Sequence, residues 1–104
     1  MAVHPLLGIE EEQLAAFCRE HSIERMWFLG ATSELHERFG LDGDVGLLVD
    51  FEADARLSFW DVVGIQEQLA DLLGQSVDLV ETAGLTNPIR RHEVLRSRRL
   101  LYAA

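Results

Sequence analysis

Apolar positions recur along this chain with two periods, and each change of period marks an element. In residues 9–20, IEEEQLAAFCRE, Leu14, Phe17 and Cys18 share a face at helical spacing. Glu10, Glu11 and Glu12 suit the positive end of that helix's dipole. Residues 23–29, IERMWFL, are bulky and apolar and predict a strand that Gly30 ends. A short helix is expected over 31–38, its first turn beginning at the glycine, followed by the loop FGLDGD at 39–44. VGLLVDF (45–51) is a second strand, and consecutive Leu47, Leu48 and Val49 predict burial on both faces. Residues 58–73 form the most regular helix. Ser58 and Asp61 make a capping-box-like start, Val62, Ile65, Leu69, Leu72 and Leu73 form the apolar stripe, and Gly74 is a stop. QSVDLVET (75–82) is the third strand. The turn GLTNP leads to a basic helix at 88–98 beginning at Pro88, and LLYAA can add a short strand.

This order predicts one α/β (α+β) domain over residues 1–104, with helices packed on a small mixed sheet. Strands 23–29, 45–51 and 75–81 are expected to be neighbours, with helix 58–73 packed across them.

Composition narrows the function classes. About half of the 104 residues are apolar and about a quarter charged, a globular balance. No run approaches the roughly 18 apolar residues of a membrane span, and MAVHPLLGIEEEQ lacks the basic and apolar regions of a signal peptide. Cys18 is the single cysteine and reads as a buried structural thiol, which suits a cytoplasmic setting and excludes a structural zinc site built on cysteines. Net charge is −9, and all nine basic residues are arginine. Arg90, Arg91, Arg96, Arg98 and Arg99 against Glu93 leave the last fifteen residues at +4, so residues 1–89 carry −13. An acidic body disfavours nucleic acid, which needs a basic face. The arginine cluster is either a solvated helix face or a contact for phosphate or an acidic partner.

The candidate chemistry lies in WFLGATSELHERFGLDGDVGLLVDFE, Trp27 to Glu52. A helix start after a glycine turn offers free backbone N–H groups to a phosphate, here at Gly30 and Ala31. Carboxylates two apart on a strand share a face, and a third on the next strand completes a cluster able to hold Mg²⁺ ions. Asp44 and Asp78 are the candidates, with Gly46 at the position between them. Asp42 and Asp44 form an alternative pair, DGD, if the register slides by two. The four histidines show no metal-ligand spacing. Trp27, Phe28, Phe51, Phe59 and Trp60 read as core. Trp60 is the best interface candidate, because two adjacent aromatics at a helix start cannot both face one core.

The chain resembles the minimal nucleotidyltransferases, small relatives of DNA polymerase β that often act as antitoxins of helical HEPN toxins. FCREHSIERMWFLGA resembles their opening helix, strand and Gly-Ser turn, and GDVGLLVDFE their Asp-x-Asp strand. LSFWDVVGIQEQLADLLGQSVDLVE resembles the next helix and the strand carrying a third Asp. VLRSRRLLYAA resembles a terminal helix ending near a Tyr. The resemblance implies Mg²⁺ and ATP as cofactors, Gly30 and Ala31 at the nucleotide, and Asp44 and Asp78 at the metals. Two departures stand out: the motif Ser is Ala31, and the second motif Asp is Gly46. The loop before the strand is also about two residues longer than the usual pattern. The degenerate motif favours a non-catalytic antitoxin that docks a HEPN-type toxin or another protein, with a homodimer also open. The alternative is an active enzyme moving AMP from ATP onto a protein acceptor.

Overall fold

The computed structural model describes residues 3–31 and 33–104. Along the chain run α1 (Glu11–Glu20), β1 (Ile23–Ala31), α2 (Ser33–Phe39), β2 (Val45–Phe51), α3 (Phe59–Leu73) and β3 (Val77–Glu81). A 3-10 turn at Thr82–Gly84 leads to α4 (Pro88–Ser97) and β4 (Arg99–Ala103). The described residues form a four-stranded sheet of order β3-β2-β1-β4. β1 is antiparallel to both β2 and β4, whereas β2 and β3 are parallel. A parallel pair needs a crossover, and α3 supplies it. The mixed α+β architecture and the three neighbouring strands agree with the sequence pattern.

Both faces of the sheet are covered. Leu14 and Cys18 of α1 and Ile65 and Leu69 of α3 pack on one face against Met26, Phe28, Val45, Leu47 and Val49. On the other face Leu35 and Phe39 of α2, Leu85, and Val94 of α4 meet Trp27, Leu29 and Leu48. Leu47, Leu48 and Val49 are each 0% exposed, so β2 is central as its apolar run implied. In β1, Ile23 pairs with Phe51 and Arg25 with Asp50, which leaves one extra residue on β1. That bulge explains why Ile23 and Met26, three apart, share a core.

Several local features follow the sequence. Ser58 Oγ accepts from Asp61 N–H at 3.1 Å, and Asp61 Oδ2 accepts from Ser58 N–H at 2.8 Å, closing the capping box. Gly74 ends α3 in the left-handed region at φ 70°. Burial pushes the Cys18 thiol up to about 12, so it is a structural group and no nucleophile.

The differences lie at element ends and in the aromatics. β1 continues through Gly30 and Ala31, which pair with Gly46 and Val45, so the strand does not end at Leu29. The expected helix over 31–38 is Ser33–Phe39, and Thr32 lies outside the described residues. β3 begins at Val77, because Gln75 N–H still closes onto Ala70 O after α3. The basic helix stops at Ser97, and the end of the chain pairs with β1 as β4. Phe59 and Trp60 both stand outside the core, at 72% and 76% exposure.

The arginine cluster is neither idle nor wholly solvated. Arg90 donates to Phe39 O and Arg91 to Thr82 O. Arg98 lies over the Trp27 ring at 4.5 Å and Arg99 over Phe28 at 5.3 Å. Glu93 accepts from Arg96 at 2.6 Å and from Arg38 at 2.7 Å, which joins α4 to α2. Those two donors hold its carboxyl near 2, below the usual 4.5.

A depressed carboxylate stabilises above its unfolded pKa and is lost as pH falls through the folded one. The α2–α4 tie is therefore expected to persist at neutral pH and to loosen between about pH 4.5 and 2. Arg38 guanidinium NMR signals followed on acidification check this, and Glu93→Gln should remove the titration. Leu69→Ala is expected to cost about 2–5 kcal/mol, since Leu69 is fully buried. Ser58→Ala should cost only about 1 kcal/mol. Urea unfolding of the two variants tests the difference.

Candidate functional site

The parallel register pairs Val45 with Val77 and Gly46 with Asp78. The antiparallel register pairs Gly30 with Gly46. Gly30, Gly46 and Asp78 therefore stand in one row across three strands. Side chains alternate along β2, and Val45, Leu47 and Val49 belong to the α1–α3 face. Gly46 and Asp78 accordingly belong to the face covered by α2 and α4. Of the two row positions where carboxylates would have to meet, only the one on β3 has one.

The other is filled from above. A Cβ placed on Gly46 would lie 2.5 Å from Leu35 Cδ2, 3.3 Å from Leu35 Cδ1 and 3.5 Å from Leu29 Cβ. Leu35 is 0% exposed. Its isobutyl group occupies the volume where a side chain at position 46 would begin. Spacing offered one hint of this: Leu35 and Phe39 are four apart and thus on one helix face. Nothing in the sequence indicates that this face lands on Gly46.

The remaining acids are engaged by the backbone. Asp78 is half-buried and accepts from Gly43 N–H. A Cβ on Gly43 would sit 2.8 Å from Asp78 Oδ2 and 3.0 Å from the Asp78 nitrogen, so this approach requires glycine. Asp44 N–H donates to Ser76 Oγ at 2.9 Å, and Asp44 Oδ2 accepts from Ser76 N–H at 3.3 Å. Asp44 and Asp78 thus fasten the loop before β2 to the start of β3. The hydrogen bond to Asp78 offsets the desolvation of a carboxylate set in an apolar strand. Gly43 and Ser76 are the partners that sequence reasoning missed, because both contacts join distant segments.

Asp42 precedes the strand, with its side chain 93% exposed and Oδ1 3.7 Å from His36 Nδ1. Among the described residues, no group of three or more His, Cys, Asp or Glu side chains is arranged to hold a metal ion.

Gly30 and Ala31 do not form the expected turn. Gly30 has φ 155° and follows a second β1 bulge, between Phe28 and Gly30. Ala31 packs with the α1–α3 core, as does its partner Val45. Its methyl therefore points to the sheet face opposite Gly46 and Asp78. A cleft of about 680 Å³ lies away from the acids, between the end of α2 and the start of α4, lined by Arg38, Phe39, Pro88, Ile89, Arg90 and His92.

No protein-family model and no curated protein sequence matches the chain. Solved structures do. One is the complex of a tri-AMPylated Shewanella oneidensis HEPN toxin with an MNT antitoxin, matched at TM-score 0.64 and 17% identity over 90% of this chain and 70% of that one. A toxin–antitoxin structure with AMP-PNP matches at TM-score 0.63 and 15% identity, over 92% and 75%. A structure assigned as a minimal nucleotidyltransferase matches at TM-score 0.58 and 27% identity, over 86% of each chain. The architecture is thus nucleotidyltransferase-like. More narrowly, this chain has the minimal nucleotidyltransferase fold.

Gly46→Asp is expected to destabilise by about 1–3 kcal/mol from overpacking alone, since Leu35 must turn away. Adding Leu35→Ala should relieve part of that strain. Gly43→Ala should destabilise as well, by pushing the loop off Asp78, and Asp78→Ala should relieve only part of that cost, because the contact with the Asp78 nitrogen remains. Denaturant midpoints of the single and double variants measure both couplings.

Proposed function

We propose that this chain is a non-catalytic binding module, an antitoxin of the minimal nucleotidyltransferase fold that docks a HEPN-type helical toxin. One observation carries the reading: Leu35 fills the space at Gly46, where a metal-binding carboxylate would have to stand. Two-metal transfer needs converging carboxylates around the reacting oxygens. Here two of the three candidate acids hold loop amides, and Asp42 stands in solvent. The described residues do not fit a Mg²⁺–ATP pair. A partner can be neutralised by occlusion alone, which needs a surface and no chemistry. The likeness to an MNT antitoxin in complex with a HEPN toxin supports that kind of partner. A cytoplasmic setting suits this role.

The opposing reading is transfer of AMP from ATP to a protein acceptor through the slid Asp42–Asp44 pair. Its support is that Asp42 keeps an exposed carboxylate.

The test uses the wild-type chain, Mg²⁺ and labelled ATP, with and without a co-expressed HEPN-type toxin. A stable complex on size exclusion and no label on either protein are expected. Ala31→Ser with Gly46→Asp should not create transfer, because Ala31 faces away and Leu35 crowds position 46. Efficient labelling that Asp42→Ala abolishes would overturn the non-catalytic reading. Absence of any complex would overturn the partner.

A further inference from the structure

The start of α3 carries a feature that the site does not explain. Phe59 and Trp60 are 72% and 76% exposed, and Leu57 beside them is 37% exposed. Both aromatics are adjacent, their centroids 5.3 Å apart at an interplanar angle of 77°, an edge-to-face pair. The capping box between Ser58 and Asp61 closes around them, so the pair is held on a fixed helix end. Behind Trp60 lies a cleft of about 400 Å³ bounded by Glu20, His21, Leu57, Asp61 and Gln68. A Cβ on Gly64, which also lines it, would meet nothing within 4 Å. Rigid, exposed aromatics beside an open cleft are what interface anchors look like, since tryptophan dominates binding hot spots.

Charge decides among the possible occupants. Glu20 and Asp61 border the cleft. The segment leading into α3 carries Glu52 and Asp54 against Arg56, and α3 continues with Glu67 and Asp71 and no basic residue. Aromatics of this kind could stack on bases or enter a lipid surface, but these acids repel phosphate in both cases. A second copy meeting the same patch would set the same acids against each other. What the patch complements is an apolar protein surface rimmed by Lys or Arg.

We propose that Phe59 and Trp60 anchor a basic protein partner, with the acids around them selecting its charge. This rests on the binding-module reading and names the surface it uses. Steering by the acidic rim should act mainly on association rate and salt dependence, whereas the aromatics should act on dissociation.

The test exploits Trp60 as the responsive fluorophore, because Trp27 is buried under Arg98. The full chain is titrated with a short amphipathic helix of leucine and lysine, a leucine–glutamate counterpart, anionic phospholipid vesicles and a single-stranded oligonucleotide. The lysine helix should shift Trp60 emission to the blue and weaken with salt, while the other three leave it unchanged. Phe59→Ala and Trp60→Ala should each weaken binding at least about tenfold, read by calorimetry, with the thermal midpoint unchanged because neither side chain is in the core. The surface assignment is overturned if the variants bind within twofold of wild type or the lysine helix gives no shift. It is also overturned if vesicles or oligonucleotide bind instead, or if emission changes with the chain's own concentration. The co-expressed toxin separates the two readings. A wild-type complex that Trp60→Ala leaves intact removes the surface and spares the partner, whereas no wild-type complex removes the partner reading itself.

Discussion

The burial of β2 on both faces is the constraint from which the rest follows. Leu47, Leu48 and Val49 have no exposure, and they face alternately into two separate cores. A slip of one residue would exchange those cores, and a slip of two would move Val45 and Asp44 into positions now held by Leu47 and Gly46. The register is therefore set by packing before any question of chemistry arises. It puts Gly46 beside Asp78 and leaves Asp42 outside the strand. Any chemistry by the DGD pair would have to come from the loop, because the strand cannot slide to deliver it.

That constraint also separates what could be read in the sequence from what could not. The elements were legible because their signals are local. Ser58, Asp61 and Gly74 mark both ends of α3, and the LLV run marks a central strand. The fate of the site was not, because it depends on pairs far apart in the chain. Gly43 and Asp78 are 35 residues apart, and neither alone signals the other. Leu35 reads as an ordinary apolar residue of a short helix until the fold lowers it onto Gly46. That position 31 carries no hydroxyl was legible from Ala31 itself. Its facing was not, because that is set by a bulge in β1 and by pairing with Val45. Phe59 and Trp60 show the same limit from the other side. Their hydrophobicity suggested core, but the capping geometry of α3 and the stripe through Ile65 and Leu69 direct the core face elsewhere.

Asp44 and Asp78 have a structural use. Asp78 holds Gly43, and Asp44 holds Ser76, so together they pin the loop before β2 to the start of β3. A polar group half-buried at a strand edge is costly without a partner, and the loop amides provide one. Carboxylates at the start of a strand are thus weak evidence of catalysis by themselves. The partner of each oxygen is what distinguishes a metal ligand from a loop fastener, and here both partners are backbone N–H groups.

The surfaces of the chain are strongly divided in charge. The arginines between Arg90 and Arg99 are exposed, yet they lie along carbonyls, Glu93 and aromatic rings, so much of the chain's positive charge is engaged on the α4–β4 side. The acids around α3 have no such counterparts on that helix, which bears no basic residue. The outward field of the α3 side is therefore negative even though the chain contains nine arginines. Electrostatics and exposed aromatic area then coincide on one helix end, and their coincidence is more informative than either alone. Apolar exposure attracts many surfaces, and the acidic rim excludes those that carry phosphate. Specificity in a chain of this kind can therefore arise from exclusion as much as from contact, with the sheet serving as the rigid mount that keeps the aromatic pair in place.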